Sequence, residues 1–135
     1  MSEQKRDQTR RIPPPPVTPE TKRFWDAAAD GMLLYGWCNA CKESHYFPRS
    51  LCPFCFSDDV IWKEASGRAT IYTYSIMRRD QSLPYVIAYV TLDEGPSLLT
   101  NIVDSKIDEV KIGAAVSVVF KASEGGLPVP FFKLT

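Results

Sequence analysis

Four cysteines in two closely spaced pairs constrain this chain more than any other feature of its sequence. The pairs occupy residues 38–41 and 52–55, and ten residues separate them. In a C-x-x-C pair a tight turn, called a knuckle, points two thiolates to one centre, and two knuckles supply the tetrahedral set of four sulfurs that Zn²⁺ prefers. The spacing predicts a zinc ribbon that binds one structural Zn²⁺ through Cys38, Cys41, Cys52 and Cys55.

Four thiolates fill the coordination sphere of the predicted metal. No position is left for water or substrate, so the metal is expected to stabilise the fold and not to activate a nucleophile. Two alternatives stay open, namely iron in a rubredoxin-like site and four unconnected cysteines that are buried or redox-active. His45, the single histidine, lies between the pairs and is either a hairpin side chain or a substitute ligand or acid–base group.

Length and charge limit the function classes. At 135 residues, of which 44% are hydrophobic, the chain is long enough for one modest core and a small accessory module. Residues 1–23 hold six Lys or Arg against three Asp or Glu, which leaves ten against thirteen in the rest. Nucleic-acid binders cluster basic side chains on one face, so a mildly acidic body disfavours that class.

The hydrophobic residues are dispersed along the chain. No run of about eighteen apolar residues occurs that would span a bilayer, and the polar N-terminus lacks the apolar stretch of a secretory signal. We therefore expect a cytoplasmic protein. Because thiols stay reduced in the cytosol, this location also favours metal binding over disulfides.

The first 17 residues differ in composition from the rest. They are rich in charge and end near four consecutive prolines at 13–16, a pattern that favours extended polyproline structure and cannot bury a core. We expect residues 1–17 to form a disordered basic, proline-rich tail. The alternative is an arm that wraps a partner.

A short helix is predicted over residues 18–31. Thr18 is the expected N-cap, Pro19 occupies the first helical position, and Gly31 supplies a left-handed stop. Glu20 is expected to interact favourably with the helix dipole. Phe24 and Trp25 lie on an apolar face at helical spacing. So short a helix is marginal alone, and it must dock on another part of the chain.

The remaining sequence has the pattern of β-strands. The ribbon is expected over residues 32–65, and the glycine-containing turns and short apolar runs after it predict a barrel over residues 66–135. The predicted barrel strands cover residues 69–77, 85–92, 98–103 and 116–120, with a fifth candidate at 131–134. We therefore predict a mainly β protein with a short N-terminal helix, a rubredoxin-like zinc ribbon and a five-stranded OB-type antiparallel barrel.

An ordered set of motifs resembles one known family. The stretches are WCNAC at 37–41, FPR at 47–49, CPFC at 52–55, PYV at 84–86, LDEGP at 92–96, LTN at 99–101 and IG at 112–113. Together they resemble the family called domain of unknown function 35, whose members pair a rubredoxin-like zinc ribbon with an OB-fold, and the likeness covers about residues 20–134. Lys42 and Phe56 depart from it, since many relatives have Gly after each knuckle.

The resemblance implies a role in acyl-CoA metabolism. Family members commonly act as small non-catalytic partners of thiolase-type enzymes, including thiolase-like aldolases, and some associate with hydratases. It implies that this chain is an accessory subunit, with two copies each of this chain and of a thiolase-like subunit, and that it assists CoA binding. The residues agree with such a role, because a nucleophilic Cys or a His base in a pocket is needed for the chemistry and this chain commits its cysteines to metal.

Two groups of residues are candidates for contacts outside the chain. Arg49, Arg78 and Arg79 are candidates for contacting CoA phosphates, and their alternative is a solvated charge. Large aromatic side chains on short elements are candidates for an exposed patch that contacts the partner. They are Trp25, Trp37, Phe54, Phe56, Phe131 and Phe132.

Two other functions are weighed against the accessory role. An OB-fold nucleic-acid binder would use exposed aromatic rings such as Tyr72, Tyr74 and Tyr89 to stack bases, although alternating aromatics also occur in ordinary strands. A free-standing acyl-CoA enzyme would need a nucleophile and a base, and the sequence offers no such pair once the cysteines bind metal. Both remain alternatives to the accessory subunit.

Overall fold

Residues 12–46, 49–79 and 83–135 are described by a computed structural model. In chain order the elements are α1 (Lys22–Ala29), β1 (Leu34–Cys38), β2 (Ser44–His45), β3 (Val60–Glu64), β4 (Arg68–Met77), β5 (Tyr85–Leu92), β6 (Ser97–Ile102), a 3₁₀ turn (Ile107–Glu109), β7 (Ala115–Ala122) and β8 (Pro128–Leu134). Strands β1 to β3 form a three-stranded sheet and β4 to β8 a closed barrel. The predicted mainly β fold with a short helix, a ribbon and a five-stranded barrel is confirmed.

The barrel has the strand order β4–β5–β6–β8–β7 and closes where β7 pairs with β4. The prediction that it is antiparallel is wrong for one contact, since β6 and β8 run parallel and pair only through Ile102 and Phe132. The Phe132 carbonyl accepts the Val103 amide, so alternate residues of β8 face β6, and two of these are Pro128 and Pro130. Proline has no amide hydrogen to donate, so the parallel ladder cannot extend toward the start of β8.

Alternation along the strands fills the barrel interior. On β5, Val86, Ala88, Val90 and Leu92 are buried, while the residues between them are more exposed. Residues from the other barrel strands that meet them in the core include Ala69, Ile71, Leu98, Ile102, Val116 and Phe132. This period of two is what a sheet with one buried face requires.

The helix starts later than the sequence predicts. Thr18 forms a turn with Thr21, whose amide donates to the Thr18 carbonyl at 3.0 Å, and the first residue of α1 is Lys22. Glu20 does not serve the helix start, because its carboxylate accepts both the amide and the hydroxyl of Ser50 at 2.7 and 2.8 Å. The helix end agrees better with the prediction, since Gly31 has φ of +80° directly after the C-cap.

The helix docks on the barrel and the ribbon through its apolar face. Phe24, Trp25, Ala27 and Ala28 are buried. The Phe24 ring meets the Trp25 and Tyr46 rings edge-on, with centroids 4.9 and 5.8 Å apart. Three modules thus share one contiguous core.

The three-stranded sheet has β1 at its centre, antiparallel to both β2 and β3. Strand β2 has only two residues, and within it His45 lies opposite Gly36 of β1. Phe47 and Pro48, from the FPR motif that follows β2 in the sequence, lie outside the described residues. The sheet is small, so its stability depends on what else connects its strands.

The predicted tail falls mostly outside the described residues, which begin at Ile12. The part that is described lies against the barrel, where the Glu124 amide donates to the Ile12 carbonyl at 2.8 Å. In the described part of the chain, no helix is long and apolar enough to cross a membrane.

Candidate functional site

The four cysteine sulfurs converge at one end of the ribbon. All four Sγ atoms lie within 4.8 Å of one another. Two of the distances, Cys38 to Cys55 and Cys41 to Cys52, are 3.6 Å. Four sulfurs placed ~2.3 Å from a Zn²⁺ ion form a tetrahedron with edges of roughly 3.8 Å, so these residues fit the metal. Zn²⁺ bound here would connect the two knuckles and has no open position for a substrate.

Matching backbone hydrogen bonds shape the two knuckles. The Lys42 amide donates to the Cys38 carbonyl at 2.9 Å, and the Phe56 amide donates to the Cys52 carbonyl at the same distance. Lys42 and Phe56 have φ of 62° and 63°, the left-handed region that favours glycine. The departure from the family pattern at these positions therefore costs backbone strain but removes no ligand.

Amide groups around the second knuckle favour a thiolate. Burial opposes ionisation of Cys52, but the amides of Cys55 and Phe54, the latter 3.3 Å from Sγ, outweigh it and lower its pKa to about 7. Burial raises the pKa of Cys41 to about 12, helped by hydrogen bonds with the other sulfurs. The thiolate is the form that binds Zn²⁺, so the amides around Cys52 favour the metal-binding state.

His45 is not one of the clustered metal-binding groups in the described part of the chain. Its side chain is buried, at 5% exposure, and its imidazole lies against the backbone of Gly36. Within the described residues neither ring nitrogen has a hydrogen-bond partner. Burial lowers the pKa of His45, and the charge of Arg49 lowers it further. The arrangement is that of a neutral packing residue and gives no support to the substitute-ligand alternative.

The six aromatic candidates for a partner contact have different environments. Phe54 and Phe56, on the second knuckle, are exposed at 63% and 75%. Trp37 and Phe131 are half-buried, and the Lys63 ammonium lies 4.5 Å from the centroid of the Trp37 ring. The remaining two are not on the surface.

Trp25 and Phe132 are corrections to the expected exposed patch. Trp25 is buried against Phe24, and Phe132 is completely buried, because alternation along β8 turns residue 132 into the barrel and residue 131 outward. Two adjacent phenylalanines in a strand cannot both face the core. No local sequence pattern distinguishes the two residues.

The arginine candidates are all exposed. Arg78 and Arg79 follow β4, whose last residue, Met77, pairs with Tyr85 at the start of β5. Arg49 lies before the second knuckle, near His45. Arg78 and Arg79 are thus consecutive residues at one end of the barrel, and Arg49 belongs to the ribbon.

Two adjoining depressions lie at the surface of the barrel near the start of β5. Their volumes are about 390 and 440 Å³, and both are lined by Tyr85, Asn101 and Phe131. The first also includes the ion pair between Lys121 and Asp104, whose charged atoms are 2.6 Å apart, and the second extends to Phe24 and Trp25. The sequence did not indicate these depressions, because they depend on how β5, β6 and β8 meet.

Models of known domain families match both modules. Residues 25–60 match the rubredoxin-like zinc ribbon domain of ChsH2, and residues 62–121 match the C-terminal OB-fold domain of ChsH2. The matched segments meet within β3, at residues 60–62. The predicted zinc ribbon and OB-fold are thus supported by sequence likeness as well as by geometry.

Curated relatives extend the likeness over the whole chain. A "probable enoyl-CoA hydratase alpha subunit" of Thermomonospora curvata is 31% identical over 98% of this chain, and this chain spans 43% of its length. "DUF35 domain-containing scaffold proteins" of Pyrococcus furiosus and Methanocaldococcus jannaschii are 32% and 33% identical. They cover 74% and 73% of this chain, which spans 77% and 75% of their lengths.

Solved structures agree with these relatives. A chain of the "Ltp2-ChsH2(DUF35) aldolase" superposes with a TM-score of 0.76 at 30% identity, covering 90% of this chain and 98% of that one. A DUF35-family protein of unknown function from Sulfolobus solfataricus has a TM-score of 0.65 at 19% identity, covers 100% of this chain and 93% of that one, and shows the shared fold. The chain therefore belongs to the DUF35 family of zinc-ribbon and OB-fold proteins, to which scaffold proteins and ChsH2 belong.

Proposed function

We propose that this chain is a non-catalytic, zinc-binding accessory subunit of a thiolase-type acyl-CoA enzyme complex. In this role it stabilises or completes a larger catalytic subunit that forms or cleaves a carbon–carbon bond next to a CoA thioester. The chain itself contributes structure and surface, and its partner contributes the reacting groups. We further propose a cytoplasmic location, where the four thiols stay reduced and available to Zn²⁺.

The observation that carries the proposal is the use of the cysteines and the histidine. Among the described residues the cysteines all face one closed four-sulfur centre, and His45 is buried against Gly36. Neither residue type is therefore available as a nucleophile or base in a substrate pocket, which acyl-CoA carbon–carbon chemistry needs.

The relatives supply the second line of support. Two of them are named scaffold proteins, one is named a hydratase alpha subunit, and the similar solved chain belongs to a complex named an aldolase. These names agree with a subunit that accompanies acyl-CoA enzymes. We take a thiolase-like fold for the partner and two copies of each chain from the family resemblance, since a dimeric partner presents two equivalent faces.

Help with CoA binding belongs to the same proposal. Arg78 and Arg79 leave the barrel at the end where Tyr85 lines both depressions, so a CoA held by the partner would meet two guanidinium groups beside an apolar surface. Arg49, which precedes the second cysteine pair, is proposed as a contact to a phosphate or to a partner carboxylate. Reversing the charge at Arg78 and Arg79 together should weaken CoA binding by the complex and leave the complex assembled.

Nucleic-acid binding is the competing function. Tyr72 and Tyr89 are exposed on neighbouring strands, but Tyr74 is half-buried and packs against the core. The segments 69–77, 85–92 and 97–102 contain no charged residue, so this face lacks the cations that neutralise phosphates. A salt-sensitive complex of the isolated chain with single-stranded DNA would support this function instead.

Co-expression tests the accessory role. We define the large subunit as the thiolase-type polypeptide encoded beside this chain in its own genome. Co-expression should give a complex larger than either part, with activity on a CoA thioester that the large subunit alone lacks or loses on storage. The matched sample is the large subunit expressed by itself at the same concentration.

The contrary result is equally clear. If the large subunit is fully active and stable alone, and this chain elutes beside it as a monomer, the accessory role is wrong. Turnover of a CoA thioester by this chain alone would instead revive the free-standing enzyme.

A further inference from the structure

The two knuckles of the metal site have the same backbone but different surfaces. We use first knuckle for residues 37–42 and second knuckle for residues 51–56. In each, the first cysteine accepts the amide of the residue four positions later, and donates its own amide to the carbonyl five positions later. The residue after the last cysteine is left-handed in both, with φ of 62° at Lys42 and 63° at Phe56. The first knuckle therefore serves as an internal reference for the second.

The second knuckle carries a large aromatic ring at two positions where the first knuckle has none. Lys42 and Ala40 in the first knuckle correspond to Phe56 and Phe54 in the second. Phe54 is 63% and Phe56 75% exposed, and Leu51 beside them is half exposed. Three large, solvent-exposed apolar side chains thus surround the second cysteine pair. The neighbours of the first pair, in contrast, are mostly small or polar.

Phe56 is unfavourable for the isolated chain in two ways. Its backbone has the left-handed conformation that glycine adopts without strain, and its ring gains little burial in return. Strain and exposure at the same residue indicate a requirement outside the fold of the chain. Lys42, at the matching position of the first knuckle, has the same backbone strain, but it exposes an ammonium group, which water solvates well.

Charge indicates what kind of surface covers the second knuckle. Residues 51–56 contain no Asp, Glu, Lys or Arg, and exposed Asp58 and Asp59 follow them. Four thiolates around one Zn²⁺ would leave a net negative charge beneath. Lys42 and Arg49 offset only part of it. Phosphate-rich surfaces are therefore repelled, and a symmetric contact between two copies of this knuckle would bring two negative centres together. An apolar pocket rimmed by basic side chains on a different protein fits best.

We propose that the second knuckle is the element that docks this chain on its catalytic partner. Phe54 and Phe56 enter an apolar pocket of the large subunit, and basic side chains at the rim of that pocket face Asp58 and Asp59. Exposed aromatic side chains that become buried at the centre of an interface commonly dominate its affinity. The proposal rests on the accessory role proposed above and adds to it the surface that carries the contact.

The test compares glycine at equivalent positions of the two knuckles. Phe56→Gly and Lys42→Gly each remove the same backbone strain, but only the first removes an exposed ring. Affinity for the purified large subunit is measured by titration calorimetry, alongside thermal unfolding and zinc content of each chain. We expect Phe56→Gly to raise the dissociation constant at least tenfold without lowering the unfolding temperature, and Lys42→Gly to change the dissociation constant less than twofold.

A second variant protects the test against folding effects. Phe54→Ser lies at a position without left-handed strain and should raise the dissociation constant several-fold with one zinc retained. If Phe56→Gly and Phe54→Ser both bind like the wild type, the proposal is overturned. It is also overturned if Tyr89→Ser alone abolishes binding, which would assign docking to the exposed sheet face, or if the isolated chain self-associates and Phe56→Gly abolishes that.

Failure of the accessory role gives a different result from failure of the docking surface. If the wild-type chain forms no complex with the large subunit, both proposals are wrong. If the wild type binds and the two phenylalanine variants bind equally well, only the docking surface is wrong.

Discussion

The ribbon and the barrel are stabilised in different ways. The barrel encloses an apolar core in which Val90 and Phe132 are fully buried, and five strands close its hydrogen-bonding edges. The ribbon has three strands, one of only two residues, and its two knuckles are joined through the predicted metal. Without metal, four neighbouring thiols contribute little to the stability of the ribbon. The barrel should therefore tolerate loss of metal, and the ribbon should not.

The difference also separates the spectroscopic signals. Trp25, Trp37 and Trp62 lie in α1, β1 and β3, so none of the tryptophans belongs to the barrel. Tryptophan fluorescence therefore follows the helix and ribbon, while far-ultraviolet circular dichroism follows both modules.

Metal removal should have the largest effect. Binding of a structural Zn²⁺ contributes about 10 kcal/mol to folding, so Cys52→Ser or a strong chelator should unfold the ribbon. Tryptophan emission should shift to the red, and zinc content should fall from near one per chain to near zero. Much of the strand signal in circular dichroism should persist, because the barrel interior is filled by side chains of its own strands, such as Val90 and Phe132.

The control for this experiment is Ser57→Ala, which neighbours the knuckle without supplying a ligand. It should keep the metal and the emission of the wild type. A wild-type protein purified reduced and without chelator that contains no metal would show that the cysteines have another role.

Truncation in the barrel should have the next largest effect. Phe132→Ala removes a fully buried ring, which costs about 3–5 kcal/mol through lost burial and the cavity left behind. Its half-buried neighbour provides the control, since Phe131→Ala should cost less than half as much. Urea unfolding followed by circular dichroism measures both, and zinc content should stay near one per chain. Equal costs for the two variants would contradict the assignment of residue 132 to the core.

These two modules were predictable from the sequence to different degrees. The cysteine spacing predicts the metal site because each knuckle is local, and β5 was predicted with its observed bounds because its apolar run is flanked by clear turns. The parallel contact of β6 with β8 was not predicted, because it joins two residues that are 30 positions apart in the sequence, Ile102 and Phe132. Pairing at that range depends on the closed barrel and leaves little trace in local pattern.

The helix start and the aromatic patch show the same limit. Glu20 is locally a good helix-start residue, but its hydrogen bonds to Ser50 lie outside any local window. Similarly, the choice of Phe132 over Phe131 for the core is made by the register of β8 against β7. The sequence identified the right kinds of residue, and tertiary contacts decided which of them became buried.

Disturbing the contact between Gly36 and His45 in the ribbon should cause the third largest loss of stability. A Cβ at Gly36 would lie 2.3 Å from Nε2 of His45, so Gly36→Ala must displace the imidazole or the strand. We expect a loss of about 1–3 kcal/mol, detected by tryptophan fluorescence during urea unfolding. The double variant Gly36→Ala/His45→Ala should lose less than the sum of the single variants, because the clash is gone. Additive losses would show that the two side chains do not meet.

Acidification should lower the stability of the ribbon by a smaller amount, through the buried His45. Burial lowers the pKa of His45 in the folded chain, so below about pH 6.5 the unfolded chain binds a proton more readily and the ribbon loses stability. The loss should stop once the pH falls below the depressed folded value. Cysteine protonation also weakens metal binding, so the comparison is with His45→Phe in excess zinc. The wild type should lose more stability than this variant between pH 7 and 5.5.

Relief of backbone strain should give the smallest effect, and it is stabilising. A non-glycine residue in the left-handed region costs about 1 kcal/mol, so Lys42→Gly removes that strain. Glycine also gains entropy in the unfolded chain, which leaves a net gain of about 0.5 kcal/mol. Ala40→Gly in the same knuckle is the matched control, because position 40 is not left-handed and glycine there should destabilise. The free energy of unfolding is measured in urea with zinc bound. If Lys42→Gly raises it and Ala40→Gly lowers it, backbone strain in the first knuckle limits the stability of the ribbon. If both variants lower it, backbone strain at residue 42 is not what limits that stability.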